Sequence, residues 1–202
     1  MNVVEKARRI LEAEAQAIRS IPLGPSFEHA IDVLYSCKGK IITTGMGKAG
    51  NIAMKMASTL CSTGSPAAHL HPGDATHGDL GLIGPEDVIV AYSNSGKTRE
   101  IVEMLLLAKR LGVTHIIGIT SHPDTQIREI CDIVIDMGLV TEPCHLGFTP
   151  TASTAVMLAI GDALSLVLAE KRGLTAEQYG LRHHGGYLGE QARKSKKAVD
   201  IS

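Results

Sequence analysis

The chain has 202 residues, of which 44% are hydrophobic, 20% charged and 3% aromatic, with a formal net charge of −1. These values fit one globular domain with a sizeable core, and the balanced charge and scarce aromatic residues argue against nucleic-acid binding. The sequence shows no apolar region of a signal peptide and no apolar run of about 18 residues, so we expect no membrane partner. The four cysteines form no C-x-x-C pair, which is consistent with free thiols, and we expect a cytoplasmic protein.

Two helices are predicted at the amino terminus, over residues 2–19 and 26–36. We assign residues 1–37 to a helical segment that packs on the domain or on a partner subunit. The domain itself is expected to span residues 38–190. The polar tail 191–202 is expected to be flexible.

Five short runs rich in β-branched residues follow, at 40–45, 67–71, 88–93, 115–120 and 132–136. They are apolar without alternation, as in parallel strands that are covered on both faces. Helical patterns over 49–62 and 99–111 lie between strands, and a long apolar pattern over 151–171 follows the last one. This order predicts an α/β fold: a doubly wound, five-stranded parallel sheet flanked by helices.

The loop after the first strand reads TGMGKAG over residues 44–50. It matches the G-x-G-x-x-G pattern of dinucleotide sites, but such a site also needs an acidic residue at the end of the second strand, which here ends at His71. A second interpretation is a tight turn that needs glycine. Lys48, beside a helix N-terminus, is well placed to meet an anion.

The loop after the third strand reads SNSGKT over residues 93–98. Its ending resembles a nucleotide-binding P-loop, but that motif needs a glycine at the position of Ala91. The hydroxyls of this loop and the helix N-terminus that follows suit a single phosphate group, whereas a helix cap would use one hydroxyl. The predicted phosphate-binding residues are Ser93, Asn94, Ser95, Gly96 and Thr98.

Histidines are concentrated in two further segments. The first, HLHPGDATHGD over 69–79, offers an H-x-H spacing for zinc, but Pro72 ends the strand and separates the side chains. An acid/base histidine is the alternative, and we expect no bound metal. In the second, His183 and His184 precede two glycines, which suggests either a turn that aims an imidazole or a helix end with exposed histidines.

Five stretches together resemble the SIS (sugar isomerase) domain family and, within it, the D-arabinose 5-phosphate isomerases. The resemblance covers residues 38 to 190. The stretches are GMGKAG at 45–50, STGSPAAHLHPGDATHGDLG at 62–81, YSNSG at 92–96, LGFTPTASTAVMLAIGDAL at 146–164 and HHGGYLG at 183–189.

The resemblance implies interconversion of D-ribulose 5-phosphate and D-arabinose 5-phosphate through an enediol. This reaction would be the first step in the biosynthesis of Kdo (3-deoxy-D-manno-octulosonate) for lipopolysaccharide or capsule, and it would need no cofactor. It implies that Lys48 stabilises the oxyanion, that His77 moves protons between oxygens, and that Glu100 or His183 is the C–H base. The remaining residues that the resemblance assigns to substrate binding are Thr44, Gly45, Gly47, His71, Thr149 and Thr151.

The chain departs from the family pattern in two residues. Lys97 stands where glutamate is common, and His184 where proline is common. Many relatives also continue into paired CBS modules, and we expect this chain to lack them. We further expect a homo-oligomer, either a dimer or a tetramer, and inhibition by a downstream nucleotide sugar such as CMP-Kdo. The alternatives are another SIS sugar-phosphate isomerase, acting on a hexulose or aminosugar phosphate, and a sugar-phosphate-binding regulator without catalysis.

Overall fold

The computed structural model describes residues 2–183, 187, 189 and 190. The predictions for the tail 191–202 and for the turn at 184–186 therefore lie outside the described residues. The strands are β1 Ile41–Gly45, β2 Ala67–His69, β3 Val88–Tyr92, β4 His115–Thr120 and β5 Ile133–Asp136. The helices are α1 Val3–Arg19, α2 Pro25–Ser36, α3 Lys48–Ser62, α4 Pro72–Ala75, α5 Arg99–Arg110, α6 Gln126–Ile130, α7 Ala152–Lys171 and α8 Ala176–Arg182, with a 3-10 turn at Asp79–Leu82.

The five strands form one parallel sheet in the order β2-β1-β3-β4-β5, which confirms the predicted architecture. From β1 the chain crosses first to β2 on one side and later to β3 on the other. In the register of β1 with β3, Gly45 lies opposite Tyr92, so the two strands end together. The sheet order thus reverses between β1 and β3, and ligands of such sheets bind at the carboxyl ends of strands at this reversal.

Both faces of the sheet are covered, which explains why the strands lack an apolar–polar alternation. Val88, Val90 and Tyr92 of β3 belong to the core beneath α2, α3 and α7. The neighbouring Ile89 and Ala91 point to the opposite face, which α4, α5 and α6 cover. Every residue of β3 is therefore buried.

Several details differ from the sequence predictions. Strand β2 ends at His69 rather than at 71, because Pro72 starts α4, and the short helices α4, α6 and α8 were not predicted. Among the described residues, α7 is long and apolar enough to cross a membrane, so the expectation that no apolar run reaches that length is wrong. More than half of its apolar window is buried, and the helix packs against α1, α2 and α3, as a core helix does.

Helix α1 packs on α7 without burying any of its own residues fully. Val3, Val4 and Leu11 expose between 63% and 69% of their surfaces. Because these side chains recur at helical spacing, they form an apolar strip along the helix. The strip is open in a single chain.

A buried carboxylate links two strands at the amino-terminal edge of the sheet. Asp87 is 3% exposed and accepts hydrogen bonds from the Lys40 amide at 2.8 Å, the Gly84 amide at 2.8 Å and the Lys40 ammonium at 2.8 Å. Burial opposes the charged form, but these donors outweigh it and hold the pKa of Asp87 below its ordinary value. The carboxylate thereby ties the starts of β1 and β3 together.

Asp87→Asn should lower the free energy of unfolding at pH 7 by about 2 kcal/mol, because an amide cannot accept all three donors. Since the folded-state pKa lies below the unfolded one, the contribution is present above about pH 4 and is lost as pH falls through the folded-state pKa. Urea unfolding of both proteins at pH 7 and pH 3 measures this, with the exposed Asp124→Asn as control. An equal gap at both pH values would contradict the assignment.

Glycine at 161 allows α7 to approach the sheet closely. A Cβ at this position would lie 2.5 Å from the hydroxyl oxygen of Tyr92, a fully buried side chain whose hydroxyl contacts the sulfur of Met56 at 2.9 Å. The space that a larger residue would need is therefore filled by Tyr92.

We expect Gly161→Ala to destabilise the fold by about 2 kcal/mol through overpacking, although alanine is the better helix former by about 1 kcal/mol. Adding Tyr92→Phe should restore most of that loss, because the hydroxyl is the atom that clashes. Urea unfolding of the two single variants, the double variant and the wild type gives the coupling free energy. Additive effects of the two changes would show that the contact imposes no constraint.

Candidate active site

The loop between β1 and α3 is a tight turn that glycine makes possible. A Cβ on Gly45 would lie 2.8 Å from the Ala49 carbonyl group, and one on Gly50 would lie 2.6 Å from the Gly45 oxygen. Gly47 precedes α3 with a φ of +58°, a conformation that glycine adopts without strain. The G-x-G-x-x-G pattern is thus accounted for by the turn, which presents Lys48 as the exposed first residue of α3.

The loop between β3 and α5 folds around the buried side chain of Ser93. Its hydroxyl lies 3.1 Å from the hydroxyl of Thr98 and accepts the Gly96 amide at 3.1 Å, while the Ser95 hydroxyl accepts the Lys97 amide at 3.3 Å. Thr98 precedes α5, and no side chain of the described residues caps that helix. The amides of its first turn therefore face outward, in the arrangement that binds anions.

Neighbouring elements hold this loop in place. The Asn94 carbonyl accepts the Ser121 amide at 3.2 Å, and the Gly96 carbonyl accepts the Ile127 amide at 3.3 Å. Gly96 itself has a φ of +63°, and a Cβ there would lie 2.3 Å from the hydroxyl oxygen of Thr125. The loop is thus fixed by the end of β4 and by α6.

The two loops open into one cavity of about 260 Å³. Hydroxyl and amide side chains line it together with apolar ones, and Lys48 supplies the one cation of the lining among the described residues. Hydroxyls, a cation and a helix N-terminus together suit a small ligand that carries a phosphate. The lining residues are Met46, Lys48, Ala49, Tyr92, Ser93, Asn94, Ser95, Thr98, Ile101, Pro150, Ser153, Thr154 and Met157.

Glu142 is a residue that the sequence analysis missed. Its carboxylate accepts the amides of Thr151 at 2.8 Å, Ala152 at 2.9 Å and Ser153 at 3.2 Å. Burial disfavours the charge, but these donors outweigh it and hold the pKa of Glu142 below its ordinary value. The residue caps α7 from ten positions upstream, so no local spacing could have revealed it.

None of the six predicted supporting residues, namely Thr44, Gly45, Gly47, His71, Thr149 and Thr151, lines the cavity. Thr44 is buried, with its hydroxyl 3.4 Å from the sulfur of Met104. Thr151 binds Glu142 through its amide and lies 3.5 Å from the same carboxylate through its hydroxyl. The exposed Thr149 donates its amide to the Cys144 sulfur at 3.3 Å, which lowers the pKa of that thiol to about 7.

The structure brings some of the four catalytic candidates into the same region and separates one from it. Lys48 lines the cavity. Glu100 is half-buried in the first turn of α5, beside the cavity-lining Ile101. His77 is exposed in the segment that follows α4, and α4 packs against α5. Glu100 is thus next in sequence to a lining residue and His77 follows a helix that packs on α5, but neither side chain lines the cavity.

His183 belongs to a different part of the molecule. It ends α8, where its ring stacks on Tyr179 with centroids 3.9 Å apart. The preceding Arg182 lies against Gly64, at the end of α3 opposite to its start at Lys48. Helix α7 is 20 residues long, so it carries the chain about 30 Å from the cavity before α8 begins. His183 cannot reach the cavity of its own chain in this arrangement.

Metal binding at the histidines receives no geometric support from the part of the chain that the structure describes. His71 lies at the start of α4 with its Nδ1 3.5 Å from the carboxylate of Asp74, and both side chains are exposed. Within the described residues, no three histidine, cysteine, aspartate or glutamate side chains come together as a metal site would need.

Comparison with known proteins agrees with the fold. The SIS domain model matches residues 34–167, and the chain belongs to the SIS-domain family. It is 41% identical over 193 residues to the arabinose 5-phosphate isomerase KdsD of Pseudomonas aeruginosa and 40% identical over 189 residues to that of Escherichia coli K12. These alignments cover 95% and 93% of this chain, which spans 59% and 57% of the lengths of the two curated relatives.

A solved relative extends the comparison to three dimensions. The protein c3406 of E. coli CFT073, solved in complex with arabinose 5-phosphate, is 35% identical and superposes with a TM-score of 0.86, with coverage of 91% of this chain and 100% of that one. The Vibrio vulnificus NanR protein, complexed with ManNAc-6P, is 16% identical with a TM-score of 0.69, over 97% of this chain and 67% of that one, which shows a shared fold alone.

Gly96→Ala tests whether the loop between β3 and α5 requires glycine. The change adds a left-handed strain of about 1–2 kcal/mol and a clash with Thr125, so we expect both lower stability and weaker phosphate binding. Gly147→Ala is the matched control, because Gly147 has a φ of +72° and nothing within 4 Å of its Cβ position. Thermal unfolding and calorimetric titration with inorganic phosphate measure the two effects. Equal losses in both variants would show that the clash is relieved.

Proposed function

We propose that the chain is an aldose–ketose isomerase that interconverts D-ribulose 5-phosphate and D-arabinose 5-phosphate through an enediol. The observation that carries the proposal is the cavity at the β1–β3 reversal, where Ser93, Ser95 and Thr98 surround the start of α5. It is supported by the identity of about two residues in five to KdsD isomerases.

The phosphate end of the substrate is assigned to the loop between β3 and α5. The Ser93 and Thr98 hydroxyls lie 3.1 Å apart, so one phosphate oxygen can contact both, and the first-turn amides of α5 complete the anion site. A phosphate held in this way fixes the remote end of the sugar. Its binding energy then orients C1 and C2 for proton transfer.

The reaction moves a proton between C1 and C2. It requires a base at carbon, a proton shuttle between the two oxygens, and positive charge beside the developing oxyanion. Lys48 lies in the cavity wall and suits the electrostatic role. Glu100, in the first turn of α5, and His183 are the two candidates for the carbon base, and His77 is the candidate shuttle.

We further propose that each active site is shared between two copies of the chain. Within one chain, His183 lies far from the loop between β3 and α5. A neighbouring copy must therefore supply this histidine if it acts in catalysis. The open apolar strip of α1, with Val3, Val4 and Leu11 exposed, offers a surface for such an assembly. The dimer or tetramer, the inhibition by CMP-Kdo, the capsule assignment and the cytoplasmic location stay predictions.

A coupled assay with ribulose 5-phosphate, run beside fructose 6-phosphate, tests the reaction. We expect turnover of the pentulose phosphate and a loss of at least about a hundredfold in kcat for both Glu100→Gln and His183→Ala, because the residue that is not the carbon base still supplies an acid/base group to the site. In exchanged mixtures of the two variants, about a quarter of wild-type activity should return, since half of the dimers are hybrid and each hybrid has one intact site.

The mixing experiment has a direct control. Either variant exchanged with itself should stay inactive, and subunit exchange is followed with two affinity tags. Full exchange without recovery would place Glu100 and His183 in the same chain's site or outside catalysis. Turnover of fructose 6-phosphate alone would favour a different sugar-phosphate isomerase, and binding without any turnover would favour a regulator.

A further inference from the structure

Two helix N-termini meet at the cavity, and they differ in whether a side chain caps them. Thr98 and Ile101 contribute the start of α5, whereas Ser153 and Thr154 contribute the start of α7. Both ends carry partial positive charge and outward amides, so each is suited to an anion. The start of α5 has no side-chain cap among the described residues. The start of α7 is occupied by the carboxylate of Glu142.

The contacts of Glu142 leave little of this helix end for a ligand. One carboxylate oxygen accepts the Thr151 and Ala152 amides and the other accepts the Ser153 amide. Ser153 and the adjacent Pro150 are themselves part of the cavity wall. The full negative charge of Glu142 therefore lies directly behind that wall and exceeds the partial positive charge of the helix end.

The cavity is thus electrostatically asymmetric. The Ser93 and Thr98 hydroxyls and the open start of α5 favour a phosphate on the side of the cavity that α5 forms. The start of α7, which covers the opposite face of the sheet, carries Glu142 and disfavours a phosphate on its side. At separations of several ångströms in a partly enclosed site, screening by salt removes only part of such a repulsion.

We propose that Glu142 determines phosphate specificity: it repels a second phosphate at the end of the sugar remote from Ser93, so that the site takes sugar monophosphates in one orientation and rejects sugar bisphosphates. The inference rests on the proposed function and deepens it by naming the substrate class. Glu142 acts here as a specificity residue through its charge, and the proposal assigns it no proton transfer.

Calorimetric titration of the full chain with ribulose 5-phosphate and with ribulose 1,5-bisphosphate tests this, because the two ligands differ only in the remote phosphate. The wild type should bind the monophosphate at least about tenfold more tightly, equivalent to about 1.4 kcal/mol. In Glu142→Gln, whose amide oxygen can still accept helix amides, the difference should fall to about threefold or less. Glu28→Gln, an exposed residue of α2, is the charge-matched control and should keep the wild-type ratio.

Two further measurements keep the test decisive if the glutamine variant fails to fold. Glu142→Asp retains the charge and should retain the discrimination, and the wild-type discrimination should shrink as salt is raised from about 0.05 M to about 0.5 M. The proposal is overturned if the wild type binds both ligands equally, if its discrimination is independent of salt, or if folded Glu142→Gln keeps the wild-type ratio.

The outcome also separates this inference from the proposed function. Discrimination that depends on Glu142, without turnover of ribulose 5-phosphate, would sink the isomerase proposal and leave the specificity role standing. Turnover with an unchanged ratio in Glu142→Gln would do the reverse. A wild type that binds neither ribulose 5-phosphate nor inorganic phosphate would remove the phosphate site and both proposals with it.

Discussion

The pairing of β1 with β3 at the centre of the sheet is the constraint on which the site depends. The register from Ile41 with Val88 to Gly45 with Tyr92 makes the two strands end side by side. The loops that follow are therefore neighbours, although about fifty residues of chain separate them. One loop contributes Lys48 and the other contributes Ser93, so the cavity exists because the sheet order reverses between these strands.

Much of the fold was predictable because its strongest signals are local. Continuous apolar runs such as VIVAY at 88–92 indicate strands buried on both faces, and all five strands were found this way. Helix α4 was missed because four residues cannot show a period. The bounds of α7 were predicted to within one residue, but its mean hydropathy was underestimated because serine, threonine, glycine and one aspartate interrupt the apolar residues.

The site was predictable in proportion to how local its contacts are. The hydroxyls of Ser93 and Thr98 stand five residues apart beside a helix start, and the sequence pointed to both. Glu142 reaches the start of α7 across a loop, and His183 is separated from the cavity by the whole of that helix. The sequence separation of these residues from the groups they concern follows no helical or strand period. Their positions depend on the path of the loop before α7 and on how subunits assemble.

The fixed loop between β3 and α5 has a thermodynamic consequence. Ser93, Gly96 and the carbonyl of Asn94 are hydrogen-bonded to neighbouring groups of the protein itself. The conformational entropy of ordering this loop is therefore lost when the protein folds rather than when a ligand binds. The contacts that a ligand makes with this loop therefore contribute to affinity with only a small entropic cost for ordering the protein. The affinity then depends on the local stability of the loop.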